Sequence, residues 1–81
     1  MRDIHRLPIY FKKHAALMLI RRFGLSLDEV RHYIKVARIV KPLEKDGTIG
    51  ILQSDIGAKK IRFVCMIKED ALWIITVEEC K

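Results

Sequence analysis

Acidic residues are scarce in this chain: ten aspartates and glutamates face sixteen lysines and arginines, leaving a formal net charge of +6 at pH 7. A balanced, charge-neutral surface is thereby excluded. Cysteine is nearly absent too, with only Cys65 and Cys80. Neither belongs to a CxxC motif or a Cys/His pair at zinc spacing, which removes a zinc-stapled or disulfide-stapled scaffold. The expectation is two reduced thiols, with Cys65 buried and no metal or other cofactor. Long apolar runs are lacking as well. Ala15 to Ile20 is the notable one, flanked by KKH and RR, and falls far short of the roughly 18 residues that span a bilayer. It reads as a buried helix segment. No h-region with a small-residue cleavage site follows the first charged residues, so the expected compartment is the cytoplasm, with no membrane partner. There is no P-loop, GxGxxG, HExxH or Ser/His/Asp arrangement.

What is present is a small globular domain. Half of the 81 residues are apolar and about a third are charged, which argues for one folded domain over residues 1–81 and against disorder. A core of that size is modest, so a partner or a second copy of the chain, a homodimer, would add burial. The charge is lopsided. Residues 1–42 hold ten lysines and arginines against three acids, and residues 43–81 hold six against seven. A field with a direction steers an anionic partner, nucleic acid above all.

Leu7 to Phe11 is short, apolar and interrupted by Pro8, which suits an edge strand or an extended lead-in. A helix follows from about Lys12, with Ala16, Leu19, Ile20 and Phe23 at core-facing spacing and Gly24 at the left-handed position past its end. Ser26 and Glu29 form an S-x-x-E capping box, and Leu25 and Val30 a hydrophobic staple. Val30, Tyr33, Ile34 and Ala37 make the inward stripe of this second helix. Arg31, Lys35 and Arg38 make an outward one, where like charges cost the helix a few tenths of a kcal/mol each. Strands come next: Ile39 to Leu43, the turn Glu44 to Gly47, Thr48 to Gln53, a polar turn Asp55 to Lys60, Ile61 to Lys68, a hairpin turn at Glu69-Asp70, and Leu72 to Glu78. In Ile61 to Lys68, Ile61, Phe63, Cys65 and Ile67 share one face. The class is α+β: an N-terminal helical hairpin packed on a three- to four-stranded antiparallel sheet. Trp73 is most simply core.

The words HA at 14–15, RRFGLSLDEV at 21–30, IRFVCMIKED at 61–70 and LWIITVEE at 72–79 resemble a family of small prokaryotic domains related to the RelE/ParE and BrnT toxins of toxin–antitoxin systems. The resemblance spans roughly residues 9–79. It departs at Met18, where members often carry an arginine. It implies the RelE-like fold and a metal-independent, ribosome-dependent mRNA endoribonuclease inhibited by an acidic antitoxin protein. Proton transfer and phosphate binding in that family fall on Lys, Arg, His, Tyr or Glu side chains of the sheet and the facing helix.

RNA cleavage by 2′-OH attack needs a base, an acid for the leaving oxygen and cations for the phosphate. His14 suits proton transfer because imidazole titrates near neutrality, and Arg21 follows seven residues later on nearly the same helical face. Lys59, Lys60 and Arg62 form the basic cluster of the sheet half, at the start of a strand. The catalytic candidates are therefore His14, Lys60 and Arg62. Arg21, Arg22, Arg31, Lys35, Arg38 and Lys59 are the candidates for gripping RNA or the ribosome. Glu78 and Glu79 follow the last strand and either supply a carboxylate base or form a solvated terminus. Each residue also has a plain reading: a packed histidine, a charged turn, a solvated helix face. Two competing functions follow, a non-catalytic basic nucleic-acid module and a small protein-docking domain.

Overall fold

The structure is a computed structural model that describes residues 6–43 and 45–80, the side chain of Cys80 excepted. Among these residues the elements run β1 (Ile9–Phe11), α1 (Lys13–Arg21), α2 (Leu27–Lys35), β2 (Arg38–Lys41), β3 (Ile49–Ile56), β4 (Lys59–Lys68) and β5 (Ala71–Cys80). The expected turn at Glu44 and any role for the Cys80 thiol lie outside the described residues.

The helices are built locally, as their sequence dictates. Ser26 Oγ accepts the Glu29 N–H at 3.2 Å and donates to Glu29 Oε1 at 3.2 Å, so the cap forms through the serine hydroxyl. Gly24 has φ +65, and the Leu25 N–H beyond it returns to the Leu19 carbonyl at 3.0 Å. α2 buries Val30 and Ile34, and Ala37 is buried just beyond its end; Tyr33 is only half-buried. On α1 the core positions are Ala15 and Leu19, an i, i+4 pair, while Ile20 is 52% exposed. This corrects the expected stripe: a short helix lying chiefly over one strand, β5, buries only a narrow strip.

The sheet departs from expectation more. It has five strands in the order β1-β5-β4-β3-β2, with β2 to β5 an antiparallel meander and β1 added in parallel to β5. The helical hairpin is therefore not N-terminal, since β1 precedes it, and the sheet is mixed rather than purely antiparallel. Beyond the paired residues, Leu72 N–H donates to the Pro8 carbonyl at 2.8 Å and Lys12 N–H to the Ile74 carbonyl at 2.9 Å. Proline is tolerated at this place because it precedes the strand at the sheet edge.

Three further boundaries move. Arg38 is the first residue of β2, not part of a helical stripe, because α2 stops at Lys35 before the β-branched run of Val36, Ile39 and Val40. β3 continues through Ser54 and Asp55 to Ile56, leaving Gly57-Ala58 as a two-residue hairpin turn with φ +63 at Gly57. Ser54 belongs to a strand because its buried hydroxyl donates to the Tyr33 carbonyl at 2.7 Å, satisfying a carbonyl in the last turn of α2. Glu78 and Glu79 lie within β5 rather than beyond it. The Glu69-Asp70 turn is as expected, with φ of 54 and 57 at its two residues.

The core lies between the helices and one face of the sheet: Leu52 from β3, Ile61, Phe63, Cys65 and Ile67 from β4, and Leu72, Ile74 and Val77 from β5. A bulge between Val64 and Cys65 leaves Ile75 unpaired, which switches the parity of β5 so that Ile74 and Val77 both reach this core. Cys65 is fully buried and its thiol approaches the Gly50 carbonyl at 3.7 Å. Burial pushes this thiol up to about 12, so it stays protonated and unreactive at neutral pH.

Candidate nucleic-acid interface

The helices cover one face of the sheet; the other is open. Directly paired residues share a face, so the register assembles that open face in rows. The first row is Tyr10–Trp73–Met66–Ile49, from β1 to β3. The second is Val64–Ile51–Lys41, because Thr76, opposite Val64 beside the bulge, turns its hydroxyl to Met18 Sδ of α1 at 3.9 Å, and the third is Glu78–Arg62–Gln53–Arg38. The fourth pairs Lys60 with Asp55. The face thus grades from aromatic and apolar at one end to charged at the other. Four residues along β4 separate Met66 from Arg62, about 13 Å at strand rise. The third row crosses four strands, about 14 Å at inter-strand spacing.

That third row is the best-formed polar site. Arg62 Nε donates to Gln53 Oε1 at 3.1 Å, and Gln53 itself is only 7% exposed. The buried amide therefore fixes the guanidinium across the sheet. Glu78 stands opposite Arg62 on one side, and Arg38 opposite Gln53 on the other. One carboxylate, two guanidiniums and an amide lie in one line, with the exposed Lys60 one row below. Such a line has the charges to pair with a phosphodiester and would place a carboxylate beside it. The contribution of Gln53, Arg38 and Glu78 to one site is not visible from spacing; only the strand register joins them.

The structure places the other sequence candidates elsewhere. His14 is exposed near the start of α1, in the helix layer, whereas Lys60 and Arg62 alternate with the core residue Ile61 and lie on the opposite face. The catalytic trio is therefore not brought together as expected. Arg21 closes α1 at its other end, about 10 Å along the axis from His14 at helical rise, too far for a close pair. Arg22 and Lys59 meet around Phe23, at 5.7 and 5.9 Å from its ring centroid, where the end of α1 approaches the β3–β4 hairpin. Arg31 is tied to Asp28 at 3.1 Å and lies 5.4 Å from the Phe11 ring. Arg31 and Lys35 line a groove of about 570 Å³ beside β1 that Arg6 and Tyr10 also line.

Trp73 is half-buried on the open face, not in the core under the helices. Tyr10 lies against it with ring centroids 5.1 Å apart and planes at 32°, and the Lys12 ammonium is 4.9 Å from its ring centroid. Among the described residues no group of three or more His, Cys, Asp or Glu side chains can hold a metal ion, and no helix is long and apolar enough to cross a membrane.

Comparisons with protein-family models, with curated proteins and with solved structures give no match.

Proposed function

We propose that this is a RelE/BrnT-like, toxin-type protein that binds RNA or the ribosome through the open face of its sheet. The observation that carries the reading is the line Glu78–Arg62–Gln53–Arg38 with Lys60 beside it, on a face left uncovered by the helices. In the cleavage reaction Glu78 accepts the proton of a 2′-OH, and the resulting oxygen attacks the adjacent phosphorus. Arg62 and Arg38 stabilise the charge that builds on the phosphoryl oxygens. Lys60 gives a proton to the departing 5′-oxygen, so that a cyclic phosphate and a 5′-hydroxyl result. An acidic antitoxin acts here by covering the same cations.

The placement of His14 away from this line favours a second reading, a basic module that binds RNA without cutting it. The two are separated by primer-extension mapping of an mRNA incubated with the protein, with and without ribosomes. Cleavage that falls about 10²- to 10⁴-fold in Arg62→Ala and Glu78→Gln, the range set by a lost acid–base group, and persists in His14→Ala supports the toxin-type reading. Intact RNA under both conditions, with bound RNA detected, leaves the binding module. Absence of binding removes both.

A further inference from the structure

The apolar end of the open face holds a second feature that the charged line does not use. Tyr10 is 49% exposed and lies on Trp73, and Lys12, two residues on, reaches the same indole. Tyr10 is also one of the residues lining the groove beside Arg31 and Lys35, so two cations of α2 lie at the same sheet edge. The Trp73 indole N–H is buried and has no hydrogen-bond partner among the described residues, so the indole is held by its ring contacts with Tyr10 and Lys12. An exposed aromatic ring, backed by a second ring and flanked by ammonium and guanidinium groups, has the chemistry of a nucleobase platform.

We propose that Tyr10, supported by Trp73 and flanked by Lys12, Arg31 and Lys35, stacks a base of single-stranded RNA, anchoring a strand that runs across the sheet toward Arg62. This rests on the RNA-binding reading above and names the form of RNA it takes. The aromatic and charged rows are about 13 Å apart, so an oligonucleotide engages both while a mononucleotide reaches only one. Duplex RNA keeps its bases stacked inside and presents none to Tyr10.

Trp73 is the sole tryptophan of the chain, so its fluorescence reports on this site alone. The probe is a labelled oligouridine of about eight nucleotides, within the usual footprint of single-strand binders, followed by anisotropy for total binding and by Trp73 emission for the platform. The expected result is a change in Trp73 emission that tracks anisotropy, with a self-complementary RNA duplex binding more weakly. Tyr10→Ala loses affinity about 5- to 150-fold, the range for one stacked base, and Tyr10→Phe keeps it. Tyr10→Leu keeps an apolar cover on Trp73 without a π-face and behaves as Tyr10→Ala, so a folding defect is not mistaken for lost stacking. Binding by anisotropy with silent Trp73 emission and an unaffected Tyr10→Leu variant overturns the platform and leaves the RNA reading standing. No binding to any RNA overturns both, and a Trp73 response to polyglutamate in its place assigns the face to an acidic polypeptide.

Discussion

The salt dependence of the proposed RNA binding tests where the cations act. Five basic side chains lie on the open face or its rim between the Tyr10–Trp73 row and Lys60: Lys12, Arg38, Lys41, Lys60 and Arg62, with Lys68 a row beyond the aromatic end. If each neutralises one phosphate of a single strand, the plot of log Kobs against log salt has a slope of about −3.5, from roughly −0.7 per contact. Affinity then falls about 130-fold between 50 and 200 mM salt. Replacing Arg38 and Arg62 together by alanine removes two contacts, so the slope flattens to about −2.1 and the same salt jump costs only about 20-fold. Lys13 on α1 and Lys45 between β2 and β3 are exposed and belong to neither face row, so Lys13→Ala/Lys45→Ala lowers the net charge by the same amount and keeps the original slope. The assay is a fluorescence-anisotropy titration of a labelled single strand over a salt series. Equal flattening by the two double variants would show that net charge, not the arrangement on the sheet, drives binding, and would refute the reasoning.

Two stability measurements probe the frame that holds this face. A Cβ added at the buried Gly50 meets Leu43 Cγ at 2.5 Å, Leu43 Cδ2 at 2.7 Å and the Lys41 carbonyl oxygen at 2.9 Å, so Gly50→Ala forces Leu43 and β2 aside. Overpacking of about 1–3 kcal/mol, offset by about 0.4–1 kcal/mol of lost unfolded-state entropy, gives a net destabilisation of about 1–2 kcal/mol in urea titrations followed by Trp73 fluorescence. Adding Leu43→Ala should make the cost of Gly50→Ala smaller, and a strictly additive pair would discredit the contact. The second measurement uses the buried Cys65, whose thiol is pushed from 9.0 up to about 12. Because the folded protein keeps a proton that the unfolded chain has already lost, this term leaves stability unchanged below about pH 9 and lowers it from there to about pH 12, by up to about 4 kcal/mol. In a Cys80→Ser background, stability should fall with alkaline pH more steeply for the chain with Cys65 than for Cys65→Ala. Parallel curves would mean the thiol is not desolvated.

What the sequence displays openly is what a few neighbouring residues decide. The Ser26–Glu29 cap, the left-handed Gly24, the tight turn at Glu69-Asp70 and the alternation of Ile61, Phe63, Cys65 and Ile67 each depend on residues within one turn or one strand. What escapes it is non-local. Three residues, Ile9 to Phe11, are too few to show a period, and their parallel pairing to β5 joins segments more than sixty residues apart. Ile75 breaks the alternation of β5, so Trp73 in an apolar run reads as core. The candidate site divides in the same way. Lys60 and Arg62 are legible as companions because i and i+2 on a strand share a face. Their partners Glu78, Gln53 and Arg38 come from three other strands and are joined only by register, and Tyr10 and Lys12 reach Trp73 only through the added parallel strand.

The composition of the uncovered face argues that it meets a ligand. An antiparallel sheet with one face in solvent ordinarily turns polar side chains outward, which is the alternation that keeps register and solubility. Here Met66, Val64, Ile51 and Ile49 occupy outward positions, and Tyr10 and Ile49 remain among the large exposed apolar side chains. A surface selected only for solvation has no use for that band, and one selected for an apolar protein partner has no use for the Arg62 guanidinium fixed through buried Gln53 two rows away. The proposed ligand, a single strand of RNA, would match both, since its bases are apolar on their faces and its backbone is anionic at every step. On the proposed reading, the gradation from aromatic to cationic along β4 gives such a strand a direction on the sheet, with a base at the β1 edge and a phosphate at Arg62.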